Sequence, residues 1–169
     1  TPININQPDA WESTPAFSPD GRTLYFSSNR KGGFGGLDIY TAQMDGRGRF
    51  GKVKNLGPEI NTAGEELFPY VSESGKMYFS SDGHPGYGML DIFEVKRANG
   101  KNVVENLGQP VNSPADDFGI YLFKADRGFF TSNREGGMGD DDIYTFINED
   151  PELRVVNYFL QGITYMTRK

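Results

Sequence analysis

Several residue types on which catalytic and metal sites depend are scarce in this chain. None of its 169 residues is cysteine, and histidine occurs only once. Without cysteine there is no disulfide, no thiolate nucleophile and no Cys-ligated zinc. Any Ser-His-Asp arrangement would have to use His84, which lies in a Gly/Pro-rich loop where a solvated side chain is expected. We therefore expect a chain that is not an enzyme and that holds no metal and no cofactor.

Long apolar runs and basic clusters are also missing. No stretch approaches the roughly 18 apolar residues that a membrane helix needs, so we expect no membrane insertion of this segment. The formal net charge is −6, and Lys and Arg are scattered along the chain. A nucleic acid, which binds concentrated positive charge, is therefore not an expected partner.

Glycine, in contrast, is abundant, and much of it lies in a loop that occurs three times. The three copies, called the glycine loops below, are residues 28–40, 81–93 and 132–144. Each opens with Ser and closes with Asp-Ile followed by Tyr or Phe, and the number of residues between these ends is identical. Because loops usually tolerate changes of length, this constancy predicts one fixed conformation.

The contents of the loops indicate how that conformation is held. Glycine recurs at two matched places, where a positive φ or a close backbone approach would exclude a side chain. These places are Gly33, Gly86 and Gly137 for the first, and Gly35, Gly88 and Gly139 for the second. The closing residues are Asp38, Asp91 and Asp142. An Asp there is expected to fold its carboxylate onto the N–H groups of its own loop, which is a structural role rather than a catalytic one.

Each glycine loop lies between the second and third of four short segments rich in β-branched and aromatic residues, which predict strands. In the first unit these are residues 12–18, 23–27, 39–44 and 52–56, with a Pro19-Asp20-Gly21 turn after the first. The second unit has 68–72, 77–80, 92–95 and 103–107, and the third has 119–123, 129–132, 143–146 and 153–157. Each unit is predicted to be a four-stranded antiparallel meander.

The repeat divides the chain into successive units. Residues 1–10 are expected to end a preceding unit, residues 11–61, 62–112 and 113–157 to form three units, and residues 158–169 to add a closing strand or to open another domain. A four-stranded repeat of this length is typical of a β-propeller blade, which cannot cover its own apolar face. Closed propellers hold about 4 to 8 blades. We therefore predict an all-β fold, a propeller segment of three blades in an incomplete ring, completed by upstream blades or by a second copy.

Two sets of residues resemble a known family. Residues 12–30 and 38–40, with the Pro-Asp-Gly turn and Asp-Ile-Tyr, resemble the WD-repeat-like unit of TolB-type propellers. The Gly-Gly-x-Gly-x-x-Asp-Ile-Tyr loop, with Asn-Leu-Gly-x-x-Ile-Asn between units, resembles the form found in OmpA-family envelope proteins of Bacteroidota. The resemblance covers residues 5–146. It implies an outer-membrane-associated location in the periplasm, partners among other cell-envelope proteins, contact with peptidoglycan through a flanking domain, and in some members a role in type IX secretion.

One large side chain lies between the two glycines of each loop. These side chains are Phe34, Tyr87 and Met138. If they are exposed, they are suited to bind a protein partner; the alternative is that each packs between adjacent blades. Together with the resemblance, they favour a non-catalytic protein-interaction scaffold.

Carboxylates near the first strand of each unit suggest other functions. Glu12, Glu66 and Asp117 recur there, and a pair about 5 to 10 Å apart could serve glycoside hydrolysis. A propeller glycoside hydrolase, or a propeller that binds carbohydrate or peptidoglycan, is therefore the alternative. We prefer ion pairs with Arg30 and Arg134, or capping of strand N–H groups, because the placement is periodic.

Three adjacent carboxylates in the third loop raise the question of calcium. Calcium loops usually space their ligands alternately. The run Asp140, Asp141 and Asp142 does not. We therefore predict no metal site at this run.

Overall fold

A computed structural model describes residues 3–149 of the chain, and within them it contains eleven β-strands and no helix. The prediction of an all-β fold is confirmed. Since the described part holds no helix, it has none that could cross a membrane.

The strands form three antiparallel sheets in chain order. The first consists of β1 (Glu12–Phe17), β2 (Thr23–Ser28), β3 (Asp38–Gln43) and β4 (Lys54–Asn55). The second consists of β5 (Glu66–Val71), β6 (Met77–Ser81), β7 (Asp91–Ala98) and β8 (Lys101–Asn106). The third consists of β9 (Asp117–Lys124), β10 (Arg127–Ser132) and β11 (Asp142–Ile147). Each strand pairs with the next along the chain, as in a meander.

The third sheet has three strands where the sequence predicts four. The segment predicted as its fourth strand, residues 153–157, lies outside the described residues, as do residues 158–169. In the first sheet the fourth strand is shorter than predicted, because only Asn55 and Lys54 pair with Tyr40 and Thr41.

The first strand of every sheet contains an irregularity at the same place. The register of β1 with β2 shifts between Ser13 and Ala16, and the register of β5 with β6 shifts at the matching point. The residues at the shift have a positive φ: Thr14 (48°), Phe68 (51°) and Gly119 (66°). A left-handed β-branched or aromatic residue is uncommon and strained, so surrounding contacts must hold it there.

The three sheets stack in the order in which they occur in the chain. Strand β5 contacts β1, β2 and β3, and β9 contacts β5, β6 and β7; among the described residues the first and third sheets do not touch. Each new sheet thus places its first strand on the face of the preceding sheet.

Stacking buries the third strand of each preceding sheet. Ile39 on β3 is fully buried among Ile60, which lies in the segment between the first and second sheets, and Phe79 and Phe93 of the second sheet. Ile92 on β7 is buried in the same way by Ile120 and Phe130 of the third. Complete burial of an aliphatic side chain contributes about 1.5–3 kcal/mol to stability. The core therefore consists of separate clusters between sheets.

An asparagine that follows the fourth strand of each of the first two sheets bonds the third strand of that sheet. The Asn61 side chain accepts a hydrogen bond from Ile39 N–H (2.8 Å) and donates one to Ile39 C=O (3.0 Å). Asn112 does the same with Ile92, at 2.8 Å for both bonds. Buried backbone groups must find partners, and this pair of bonds, called the asparagine clamp below, supplies them.

We expect Asn61→Ala to lower the free energy of unfolding by about 1–3 kcal/mol, because it leaves the buried N–H of Ile39 unpaired, whereas Ile39 C=O keeps its bond from Leu56 N–H (3.1 Å). Urea denaturation would measure the change. Asn102→Ala is the control: its half-buried side chain accepts one solvent-exposed hydrogen bond, from Arg97 (3.2 Å), so a change in stability of less than about 1 kcal/mol is expected. Equal stability of the two variants would show that the clamp does not contribute.

Candidate functional site

The closing carboxylate of each glycine loop binds the backbone at the tip of that loop. Asp38 accepts hydrogen bonds from the N–H groups of Phe34 (2.7 Å) and Gly35 (3.0 Å). The corresponding pairs are Tyr87 and Gly88 on Asp91, and Met138 and Gly139 on Asp142. Bonds from two consecutive N–H groups to an ionised oxygen acceptor are strong. Each tip is therefore tied to the start of the third strand.

The first glycine of each loop leaves space for this carboxylate. A Cβ atom at Gly33, Gly86 or Gly137 would overlap Oδ2 of the Asp that closes the same loop. The requirement at these positions is therefore close approach. The positive φ occurs one residue earlier, at Gly32 (92°) and Gly136 (91°).

The second glycine is where the loop touches the segment that leads into the next sheet. A Cβ atom at Gly35 would overlap the carbonyl oxygens of Thr62 and Gly64, and one at Gly88 would overlap that of Ala115. Next to the first contact, Gly36 N–H donates to Gly64 C=O (2.9 Å). Gly139 is different, because its Cβ would come no closer than 3.9 Å to Asp142 Oδ1. Among residues 3–149, the third loop thus has no contact matching the one that the first two make.

The recurring acids and arginines form ion pairs in the first and third units. Arg30 Nη2 lies 2.9 Å from Glu12 Oε1, donates to Ile5 C=O (3.2 Å) and stacks over the rings of Phe26 and Tyr40. Arg134 makes the same set of contacts. Its partners are Asp117, Val111 C=O, Phe130 and Tyr144. Glu12 and Asp117 are therefore committed to contacts within the chain.

The second unit has no such arginine, and a different set of polar groups serves its acid. Glu66 is fully buried and accepts hydrogen bonds from Thr62 N–H (2.8 Å), Thr62 O–H (2.6 Å) and Ser81 O–H (2.8 Å). Gly83 stands at the position that matches Arg30. A side chain does not fit there, because a Cβ atom would overlap Thr62 Oγ1. The buried acid is thus hydrogen-bonded by hydroxyl and amide donors instead of a guanidinium.

His84 takes over the remaining contacts of the missing arginine. Its Nε2 lies 2.7 Å from Ile60 C=O, and its ring packs against Phe79 and Phe93. Ile60 C=O matches the Ile5 and Val111 carbonyls that the arginines bind. The expectation of a solvated His84 is therefore wrong. The absence of arginine from the second loop is the sequence signal that could have revealed this role.

The candidate partner-binding side chains lie one on each loop tip, and all three are exposed. The exposed fraction is 49% for Phe34, 51% for Tyr87 and 99% for Met138. Phe34 and Tyr87 keep about half their surface in water even though the next sheet is stacked beside their loops. They are therefore available to a partner.

The described part of the chain contains no cluster of side chains arranged to bind a metal ion. Within residues 3–149, no group of three or more His, Asp and Glu side chains could hold a metal ion. At the acidic run of the third loop, the Asp142 carboxylate is turned toward Met138 N–H and Gly139 N–H.

A groove of about 680 Å³ lies between the second and third sheets. Its apolar lining includes Leu107, Ile120, Leu122 and Phe146, and the Lys76–Glu94 ion pair (3.3 Å) lies at its side. Burial raises the pKa of Tyr78, which also lines it. The groove is thus mainly apolar.

Comparisons with known proteins show a distant likeness to a solved structure. No family model and no curated protein matches the chain. A crystal structure of a puromycin hydrolase mutant complexed with PGG is similar, at 13% identity and a TM-score of 0.45. The match covers 81% of this chain and 27% of that one, so the chain spans about a quarter of the protein it resembles.

This likeness corrects one prediction. The prediction that the chain is not an enzyme is contradicted, because the similar solved structure is that of a hydrolase. At this identity and TM-score the likeness assigns no activity, substrate or catalytic residue to the chain.

The first and third glycine loops allow a matched test of the contact made at the second glycine. We expect Gly35→Ala to lower the free energy of unfolding by about 1–3 kcal/mol, because the added methyl group would overlap the backbone carbonyls of Thr62 and Gly64. Gly139→Ala is the control, since its methyl meets open space, and a change within about 0.5 kcal/mol is expected. Neither glycine has a positive φ, so the variants differ only in space. Equal losses of denaturation free energy would contradict the role of the contact.

Asp91 predicts a pH dependence of stability. Burial raises the pKa of its carboxyl group. The hydrogen bonds from Tyr87 N–H and Gly88 N–H lower this pKa, but the effect of burial is larger, so the net shift is upward. Because the folded-state pKa lies above the unfolded value of about 3.9, the folded chain binds this proton more tightly. The contribution of Asp91 to stability should therefore fall as pH rises from about 4 through the folded-state pKa.

The test compares the slope of unfolding free energy against pH in the wild type, Asp91→Asn and Asp140→Asn. In Asp91→Asn the free energy of unfolding should fall less steeply with rising pH, because Asn accepts the same N–H bonds without titrating. Asp140→Asn alters an exposed carboxylate and should show the same fall as the wild type. A wild-type slope in Asp91→Asn would show that Asp91 does not titrate in this way.

Proposed function

We propose that this chain is a protein-interaction scaffold built from three consecutive blades of a β-propeller. Support for the blades comes from the repeated stacking: the second and third sheets each cover the third strand of the sheet before them, and that strand is also bonded by the asparagine that ends its own unit. Equivalent contacts at both interfaces are what radially repeated sheets require.

The observation that carries the interaction role is the presentation of one large apolar side chain on each rigid loop tip. Phe34 and Tyr87 are about half exposed, and the N–H group of each is bonded to the Asp that closes its loop. A side chain on an ordered backbone loses little further backbone entropy when it binds. Aromatic residues in such positions dominate binding energy at many protein interfaces.

The proposed setting is the periplasmic side of a bacterial outer membrane. It is supported by the resemblance of the glycine loops and of the Asn-Leu-Gly segments to OmpA-family envelope proteins of Bacteroidota. The partners proposed are other envelope proteins, in a peptidoglycan-linked or type IX secretion assembly, with peptidoglycan contacted through a flanking domain.

The polar contacts of the first strands bear on the carbohydrate alternatives. Glu12 and Asp117 are each paired with an arginine, and Glu66 is saturated by Thr62 and Ser81. Two acids that flank a scissile bond must be free to meet substrate. These contacts favour the interaction role over glycoside hydrolysis at the same acids.

The double variant Phe34→Ala/Tyr87→Ala tests the proposal. We expect its thermal stability to stay close to that of the wild type, because exposed side chains contribute little to folding. Capture of partners from detergent-solubilised Bacteroidota envelopes, with affinity then measured for each captured protein, should show at least a tenfold loss, or about 1.4 kcal/mol.

Met89→Ala is the matched control, since Met89 is exposed on the second glycine loop but lies outside the two glycines. It should bind like the wild type. Unfolding of the double variant would indicate packing instead of recognition. Equal capture by double variant and wild type would remove the loop tips as the binding site, and co-sedimentation with purified peptidoglycan that depends on them would favour the carbohydrate alternative.

A further inference from the structure

Charge is distributed unevenly between the two ends of the sheets. Because neighbouring strands are antiparallel, the glycine loops and the segments that join one sheet to the next all lie at one end, called the loop end below. The turns between first and second strands, and between third and fourth strands, lie at the other end. The loop end is therefore the one that carries Phe34 and Tyr87.

Acidic residues outnumber basic ones at the loop end. Its segments between strands contain seven Asp and Glu but only three Lys and Arg; these segments are residues 29–37, 56–65, 82–90, 107–116 and 133–141. Two of the three bases, Arg30 and Arg134, are held in ion pairs with acids of the first strands, and the third, Lys31, is exposed. The other eleven Lys and Arg of residues 3–149 lie in the opposite turns or in the strands. The excess of negative charge is therefore concentrated at the end that presents the aromatic side chains.

Two of these acids lie directly beside the loops that carry the aromatic side chains. A Cβ atom at Gly36 would come within 3.2 Å of Glu65 Cγ and Oε1, so the Glu65 side chain lies across the first glycine loop. Asp116 Oδ1 accepts a hydrogen bond from Leu90 N–H (2.9 Å) in the second loop. Both contacts are made within about three residues of the aromatic side chain of the same loop. Each aromatic side chain therefore has a carboxylate next to its loop.

This surface is formed where the sheets are stacked, between the first sheet and the start of the third. The first and second loops each lie against the segment that leads into the next sheet, and Phe34 and Tyr87 stay about half exposed with that sheet in place. Glu65 is also exposed, and its N–H group donates to Asp82 Oδ1 (2.7 Å), which brings a second acid beside it. Apolar side chains and acids thus share one continuous edge.

We propose that the partner that receives Phe34 and Tyr87 is a protein surface rich in Lys and Arg. The inference rests on the proposed binding role of the loop tips and adds the chemistry of the partner. Opposite charges around an apolar contact accelerate the encounter of two proteins, and like charges exclude wrong partners. Peptidoglycan, whose peptide stems carry free carboxylates, has the wrong sign for the loop end. Its contact through a flanking domain is compatible with this assignment, whereas contact through the loop tips is not.

A library of short random peptides displayed on phage tests the proposal without a known partner. Peptides that are selected on the full chain and do not bind Phe34→Ala/Tyr87→Ala report binding at the loop tips. We expect them to combine apolar residues with more Lys and Arg, and less Asp and Glu, than the unselected library. The affinity of the strongest synthetic peptide should fall at least tenfold between about 0.1 and 1 M salt, where the screening length shortens from about 10 to 3 Å.

Charge reversal at the loop end separates the effect of the acids from that of the apolar contact. Glu65→Lys/Glu135→Lys should weaken binding of the selected peptide at least tenfold, mainly through slower association, because charges at the rim of an interface act on the encounter. The control Glu73→Lys/Glu149→Lys changes the net charge equally at the opposite end and should bind like the wild type. All four side chains are exposed, so thermal melting of both variants should stay close to that of the wild type.

Two results would overturn this inference and leave the binding role of the loop tips intact. One is a set of tip-dependent peptides without an excess of Lys and Arg. The other is equal binding of the selected peptide by Glu65→Lys/Glu135→Lys and the wild type. Two further results would overturn the inference together with the proposed function: selection that yields no peptide dependent on Phe34 and Tyr87, and tip-dependent binding of purified peptidoglycan, which would favour the carbohydrate alternative.

Discussion

The first two sheets depend on the sheet that follows to keep water from their third strand. The following sheet places aromatic and aliphatic side chains around Ile39 or Ile92, and the asparagine at the end of the same unit bonds the backbone of that residue. Apolar cover alone would leave the buried N–H group of this residue without a partner, at a cost of about 1–3 kcal/mol, whereas its C=O group also accepts a backbone bond from Leu56 or Leu107. Burial of the third strand therefore depends on the apolar cover and on the asparagine together.

The glycine loops connect this stacking to the candidate binding surface. Within one loop, Asp38 binds the tip, Gly33 leaves room for that carboxylate, and Gly35 accepts the segment of the next sheet. The residue between the two glycines then faces water, and in the first loop it is Phe34. A loop shaped to receive the next sheet therefore also presents an apolar side chain in a fixed position, so that the same backbone would serve both the stacking of the sheets and the proposed partner binding.

Sequence reasoning anticipated contacts within a unit better than contacts between units. The constant spacing from the loop glycines to Asp38 indicated a local carboxylate contact, and the structure contains it. The sequence showed the dipeptide Ile60-Asn61 only as a recurring boundary between units. Its contacts could not be predicted, because residue spacing does not indicate which strand a side chain contacts. His84 was misassigned for the same reason: its role becomes visible only beside Ile60 C=O and the rings of Phe79 and Phe93.

The sequence alone determined the all-β content, the three repeats and the composition of each loop, because turn chemistry, alternation of side chains and fixed intervals act over a few residues. Only the tertiary structure decided which of the equivalent faces are covered. Ile39, Ile92 and Ile143 are the same residue in the same local context, yet two are buried and one is exposed. Burial is a property of the neighbouring sheet, and no local pattern contains it.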